Sequence, residues 1–295
     1  MMKITDQPAA RPEPRPWHDA LVEPDWLEAH LDDPLVRVVE VDVSPAAYND
    51  WHISGAAFWN VYADVKDAGY HTVEVAALER LIARSGIGPE STVVFYGYAP
   101  ALGFWLMKLC GHQDVRILNC SRDTWRSGNR PSSTEPFSGG ESAYRLAVQG
   151  DHLRADRLTV ADAIGDSGRA ILDVRSDAEY QGERFWPSGG MEPGGRAGHV
   201  PTAIHRPIDG LYRADGSFRS AGELREIFSS ADLASDQELI TYCTIGGRAA
   251  TAWFVLTYLL GRDRVRVYDG SWAEWGRLPD APVESTRGPS DDHPS

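Results

Sequence analysis

Short apolar runs recur along the chain and predict β-strands: VVEV from Val38, VVFY from Val93, ILDV from Ile171 and LITY from Leu239. Each is too short to be a helix, and its apolar residues are consecutive rather than alternating, the pattern of a strand buried on both faces. Between such runs lie segments with helical spacing of apolar positions. GFWLMKLCG (Gly103 to Gly111) and WFVLTYLLG (Trp253 to Gly261) each end on a glycine suited to a helix C-cap. Strands of this kind alternating with helices predict an α/β architecture in which parallel sheets are flanked by helices.

The pattern occurs twice. VVFY aligns with LITY and the two helical segments with each other. VRILNCSRDTW, ending at Trp125, aligns with VRVYDGSWAEW, ending at Trp275. Upstream, HISGA from His52 pairs with HVPTA from His199, and the matched tyrosines follow 44 and 43 residues later. VVEVDVSPAAY (Val38 to Tyr48) pairs with ILDVRSDAEY (Ile171 to Tyr180). Tyrosine and histidine are four steps apart in the first half and nineteen in the second, so the second half carries an insertion of fifteen residues, largely QGERFWPSGGMEPGG. The expected organisation is a mobile tail over 1–17, a first domain over 18–127, a linker over 128–158 centred on the polar stretch Arg126 to Ser142, a second domain over 159–280, and a mobile tail over 281–295.

With 42% hydrophobic residues, the chain can fill two cores. Its 29 Lys and Arg against 43 Asp and Glu give a net charge of -14 with no basic stripe, which argues against a nucleic acid partner. Neither an apolar run of about 18 residues nor a secretory signal is present, so no membrane association and a cytoplasmic location are expected. Three cysteines, Cys110, Cys120 and Cys243, cannot form a disulfide framework and lack paired CxxC spacing.

The halves diverge after the matched tyrosines. Gly97 to Gly111 is 14 steps and Cys243 to Gly261 is 18, so the second loop is expected to be longer by four residues. It reads Cys243, Thr244, Ile245, Gly246, Gly247, Arg248, between a strand's carboxyl end and a helix N-terminus, where ligands bind in open α/β sheets. Paired glycines let several N–H groups converge on one point, and such a nest with a helix dipole stabilises a thiolate and binds anions. Cys243 is therefore the candidate nucleophile, Thr244 to Gly247 an anion-binding loop, and Arg248 a fixed positive charge. An inert core thiol would need neither the glycines nor the arginine, and the first half has Gly97 at the matching place.

These features resemble the tandem-domain rhodanese family of sulfurtransferases, from about Trp17 to Leu278. The resemblance rests on VEVDVSPAAY and HISGAAFWN in the first half and on LDVRSDAEY, GHVPTA, TYCTIGGRA and YDGSWAEW in the second. It implies a five-stranded parallel sheet in each domain, an inactive first domain walling the cleft, and a cysteine that cycles through a persulfide without metal or organic cofactor. The implied donor is a small sulfur anion, thiosulfate or 3-mercaptopyruvate, and the acceptor is cyanide or a thiol, thioredoxin among the candidates. Thr244 and Ile245 match neither the basic residues that follow the cysteine in thiosulfate enzymes nor the Gly-Ser of mercaptopyruvate enzymes; thiosulfate is favoured because Arg248 can offer a guanidinium fork to its sulfonate and nothing replaces the Gly-Ser. Arg184 and Arg196 of the insertion are candidate substrate contacts.

Two other readings compete. A cysteine phosphatase or arsenate reductase also sets a thiolate and an arginine in one loop, but with five intervening residues, where this chain has four. A binding module without activity would not need Cys243. Asp173 and Arg175 are expected to form an ion pair bracing the loop, and Asp269 and Ser271 to support it from the neighbouring strand end. His52 and His199 read as structural, bonding the backbone, and Cys110 and Cys120 as packing residues.

Overall fold

The computed structural model describes residues 20–140, 142–146, 150–229, 233–234 and 236–285. The chain begins with β1 (Leu21–Val22), α1 (Pro24–Ala29), β2 (Val36–Asp42), α2 (Ala46–Asp50), β3 (His52–Ile53) and β4 (Ala57–Asn60). A π-helical turn over Val61–Val65 follows, then α3 (Val75–Arg84), β5 (Thr92–Gly97), α4 (Pro100–Leu109), β6 (Val115–Leu118), α5 (Arg122–Ser127) and β7 (Ser132–Ser133). The second half has β8 (Arg154–Ala155), α6 (Arg157–Ala163), β9 (Arg169–Asp173), α7 (Asp177–Tyr180), β10 (Ile204–His205), α8 (Ala221–Phe228), β11 (Glu238–Tyr242), α9 (Gly247–Phe254), β12 (Val265–Tyr268) and α10 (Ser271–Trp275).

The strands form two parallel five-stranded sheets, ordered β1-β6-β5-β2-β4 and β8-β12-β11-β9-β10. The order is the same in both, as the repeat requires. Glu40 opposite Tyr96 in the first sheet matches Asp173 opposite Tyr242 in the second. All of β11 is buried, and so are Val93 to Tyr96 of β5, so these consecutive apolar runs do lie between helices on both faces.

One face of each sheet shares a core with the other domain. Phe104 of α4 packs on Trp253, Phe254 and Tyr258 at ring-centroid distances of 6.1, 4.9 and 4.8 Å. The outward faces close separate clusters around Trp125 and around Trp272 and Trp275. The two helices that follow the matched loops thus bring both strand ends to one interdomain cleft.

Three expectations change. The four extra residues of the second half are mostly helical: the loop is Cys243–Gly246 against Gly97–Ala99, and α9 runs on through a π-helical turn over Val255–Leu259. The segment between the domains is a strap on the first domain. There β7 pairs antiparallel with β3, Ser142 donates its N–H to Ala83 O at 3.0 Å, and Leu146 donates to Glu79 at 3.0 Å. The second sheet also reaches back to β8, within the stretch read as linker. Residues 281–285 are tied down, with Glu284 and His199 exchanging main-chain hydrogen bonds of 2.8 and 2.9 Å. The expected tail over 1–17 and the rest of the C-terminal one lie outside the described residues. No helix among the described residues is long and apolar enough to cross a membrane.

Candidate active site

Cys243 follows the last residue of β11 and is 1% exposed. Gly246 caps α9 with φ of +91°, a left-handed conformation that glycine adopts without strain. That turn aims the Gly246 N–H at Cys243 Sγ, 3.2 Å away. The thiol therefore sits at the positive end of a helix with a backbone donor already on it.

A buried network sets the loop. Glu179, fully buried on α7, accepts two hydrogen bonds from the Arg248 guanidinium at 2.8 and 2.7 Å and one from Thr244 Oγ1 at 2.6 Å. Arg248 also donates to Thr244 Oγ1 at 2.8 Å. Burial pushes the Glu179 carboxyl up, but Arg248, Thr244 and Ser176 outweigh it and hold its pKa down to about 2. Ser176 and Glu179 form a capping box at the start of α7. Sequence reasoning missed Glu179, although the Ser176 to Glu179 spacing is a readable signal for it.

The first domain reaches the same loop from the other side. Lys66, with a fully buried side chain, donates to Asp269 Oδ1 at 2.5 Å and to Asp269 O at 3.2 Å. Thr72 donates its N–H and hydroxyl to the same carboxylate at 2.7 and 2.9 Å. Lys66 lies so near the loop that a Cβ on Gly246 would be 3.1 Å from Nζ. Nothing in the sequence marks Lys66, because its partner is 203 residues away. Ser271 has φ of +51°, with its hydroxyl donating to Tyr268 O at 2.8 Å and accepting the Cys243 N–H at 3.2 Å.

Asp173 and Arg175 form a fully buried ion pair at 2.6 Å. Tyr242 donates to Asp173 at 2.5 Å, Arg175 donates to Gly198 O at 2.8 Å, and the guanidinium lies 4.5 Å from the Trp272 ring centroid. His52 and His199 stack on Tyr48 and Tyr180 at 3.8 and 3.7 Å, and each Nδ1 bonds the same tyrosine's carbonyl.

Above the thiol is a cavity of about 50 Å³ lined by Tyr62 and Tyr98 of the first domain and by Trp186, Ile245 and Arg248 of the second. Trp186 and Pro187 of the insertion line it, while Arg184 and Arg196 do not. Arg184 is exposed and donates to Pro187 O at 3.1 Å. Arg196 donates to Ala281 O and to Trp275 O, at the end of α10, at 2.6 and 3.1 Å. Trp186 is fixed by Glu192, which also takes Arg277 at 2.6 Å. Arg248, expected to offer its whole fork to a ligand, spends three of its five donors on Glu179 and Thr244.

In the first domain, Gly97 occupies the place of Cys243. Its φ is +104°, and a Cβ there would be 2.9 Å from Val41 O, so this backbone leaves no room for a cysteine side chain. Burial pushes the thiols of Cys110 and Cys120 up to about 11.

A family model described as "Rhodanese-like domain" matches residues 23–127 and again 157–278. A Haloferax volcanii protein named "Putative thiosulfate sulfurtransferase" is 39% identical over 276 residues, covering 90% of this chain and 96% of that one. The "Sulfur carrier protein TtuD" of Thermus thermophilus is 38% identical over 274 residues, with 90% and 96% coverage. Among solved structures, the anaerobic ergothioneine biosynthesis enzyme from Chlorobium limicola superposes with a TM-score of 0.82 at 22% identity, over 95% of this chain and 73% of that one. That likeness is one of fold. With both halves matched and such relatives along nearly its whole length, the chain belongs to the rhodanese-like family, as a tandem of two rhodanese-like domains.

Proposed function

We propose that the protein is a sulfurtransferase that carries sulfane sulfur as a persulfide on Cys243. The observation that carries this reading is the thiol itself, buried at the N-terminus of α9 under the Gly246 N–H and lining a small cavity of about 50 Å³. The Cys243 thiolate attacks the outer sulfur of thiosulfate, the S–S bond of the donor breaks, and sulfite leaves with the electron pair. The negative charge on the persulfide is held by the Gly246 N–H and the helix dipole, donors oriented before reaction. An acceptor thiolate or cyanide then takes the outer sulfur and restores the thiolate. The names of the relatives support the reaction class.

Thiosulfate is the proposed donor in preference to 3-mercaptopyruvate. Arg248 lines the Cys243 cavity and brings a positive charge to it that suits a compact sulfonate, and Thr244 and Ile245 stand where a Gly-Ser would be. Four residues separate Cys243 from Arg248, which disfavours a phosphatase. The test compares kcat/KM for the two donors with cyanide as acceptor, in the wild type and in Cys243→Ser. Thiocyanate should form faster from thiosulfate and not at all in the variant. Turnover by Cys243→Ser would refute the nucleophile, and a clear preference for mercaptopyruvate would refute the donor.

A further inference from the structure

The duplication leaves a second cavity, of about 370 Å³, at the place in the first domain that corresponds to the Cys243 pocket. The Cys243 pocket takes Val61 and Tyr62 from the segment after β4; the second cavity takes Ile208 and Asp209 from the segment after β10. Each uses its own strand-end loop, and both use the first turn of α9. The two adjoin, sharing Tyr98, Ala99, Gly247 and Arg248 as a ridge. At that ridge a Cβ on Gly247 would lie 3.7 Å from the Ala99 Cβ.

Size and chemistry divide the work between them. At about 50 Å³ the cavity at Cys243 falls well below the about 300–1,000 Å³ of sites that enclose an organic molecule, so it suits the outer sulfur and a compact donor rather than the body of an organic acceptor. The neighbouring 370 Å³ falls in the range of small-molecule sites, about 300–1,000 Å³. It is no second reaction centre: Gly97 has no side chain to offer, and the Cys120 thiol on its wall is pushed up to about 11. Its lining includes Tyr98, Tyr212 and Phe218, the exposed Asp209 and the Arg248 side chain.

We propose that this cavity holds the body of an organic thiol acceptor, zwitterionic and of about tripeptide size, whose sulfur crosses the ridge to the Cys243 persulfide. The proposal rests on the persulfide reading above. Asp209 takes the acceptor's ammonium, Arg248 its carboxylate, and the aromatic rings its stem. The acceptor thiolate attacks the outer sulfur of Cys243–S–SH, a new S–S bond forms and the old one breaks. The electron pair returns to Cys243 Sγ and restores the thiolate, the acceptor leaves as its own persulfide, and the proton that the acceptor thiol released goes to solvent.

The test loads the full chain with thiosulfate, verifies one added sulfur by intact mass, removes the donor, and follows discharge by glutathione and by cyanide. In the wild type, discharge by glutathione should saturate with concentration. Ile208→Trp, which narrows the cavity, should slow discharge by glutathione about tenfold or more, a loss of about 1.4 kcal/mol in transition-state stabilisation, while loading and discharge by cyanide keep their rates. Asp209→Ala, an exposed change that does not threaten the fold, should raise the glutathione concentration at half-saturation severalfold. The proposal is overturned if the wild type shows no saturation, if Ile208→Trp leaves glutathione unaffected, or if it slows both acceptors equally. A wild-type chain that never gains sulfur would instead overturn the persulfide reading beneath it.

Discussion

Glu179→Gln tests whether the buried carboxylate, rather than the loop sequence alone, sets the active site. The amide keeps the size and one acceptor oxygen but removes the charge from a fully buried group that holds Arg248 through two bonds and Thr244 through a third. Breaking one side of a buried ion pair costs about 3–5 kcal/mol. Linkage gives a similar size: a carboxyl held down to about 2, against an ordinary 4.5, corresponds to about 3 kcal/mol at neutral pH. Because the folded-state pKa is depressed, this contribution is fully present above about 4.5 and is lost as pH falls toward 2. Urea denaturation at pH 7 should show the variant less stable by roughly 2–4 kcal/mol, with the gap to wild type narrowing once pH drops below 4.5. Persulfide formation should slow in parallel, since Thr244 and Arg248 lose their shared anchor. A difference below about 0.5 kcal/mol at pH 7, the range of ordinary surface substitutions, or a gap that does not change with pH, would refute the reasoning.

Lys66→Met leaves the Asp269 carboxylate buried beside the loop without its cation, so it should lower both stability and sulfur transfer, by about 3 kcal/mol in denaturation; Lys66→Met combined with Asp269→Asn should recover part of that loss. At neutral pH iodoacetamide should label Cys243 before Cys110 and Cys120, whose thiols are held near 11, as peptide mapping of a brief reaction would show. Trp186→Ala removes a wall of the Cys243 cavity, and the loaded persulfide should lose its sulfur faster in buffer without acceptor, by intact mass over time.

Much of the fold was legible because strands buried on both faces write themselves as consecutive apolar runs, and because the chain writes them twice. The register of VVFY against LITY fixed which loop matched which. What the pattern could not separate was loop from first helical turn: Gly247 and Arg248 look like loop residues yet open α9, and the extra length is absorbed in the π-helical turn over Val255–Leu259. The strap over residues 128–140 and 142–146 has little apolar periodicity because it is held by main-chain pairing with β3 and by side-chain bonds to Tyr48 and Glu79. In the site, Cys243 could be read from its glycines and arginine, all local. Lys66 could not be read, since its position follows from how the first domain packs on the second. Arg184 and Arg196 have only their charge to recommend them in the sequence, and Trp186 and Pro187 are the insertion residues that line the cavity.

The central claim is that sulfur rests covalently on Cys243. Intact-mass analysis of the full chain after incubation with thiosulfate, followed by peptide mapping, tests it most directly. One added sulfur atom on the peptide containing Cys243, removed by cyanide and absent in Cys243→Ser, is the predicted result. An unchanged mass with thiosulfate and with 3-mercaptopyruvate, or added sulfur that persists in Cys243→Ser, would contradict the account.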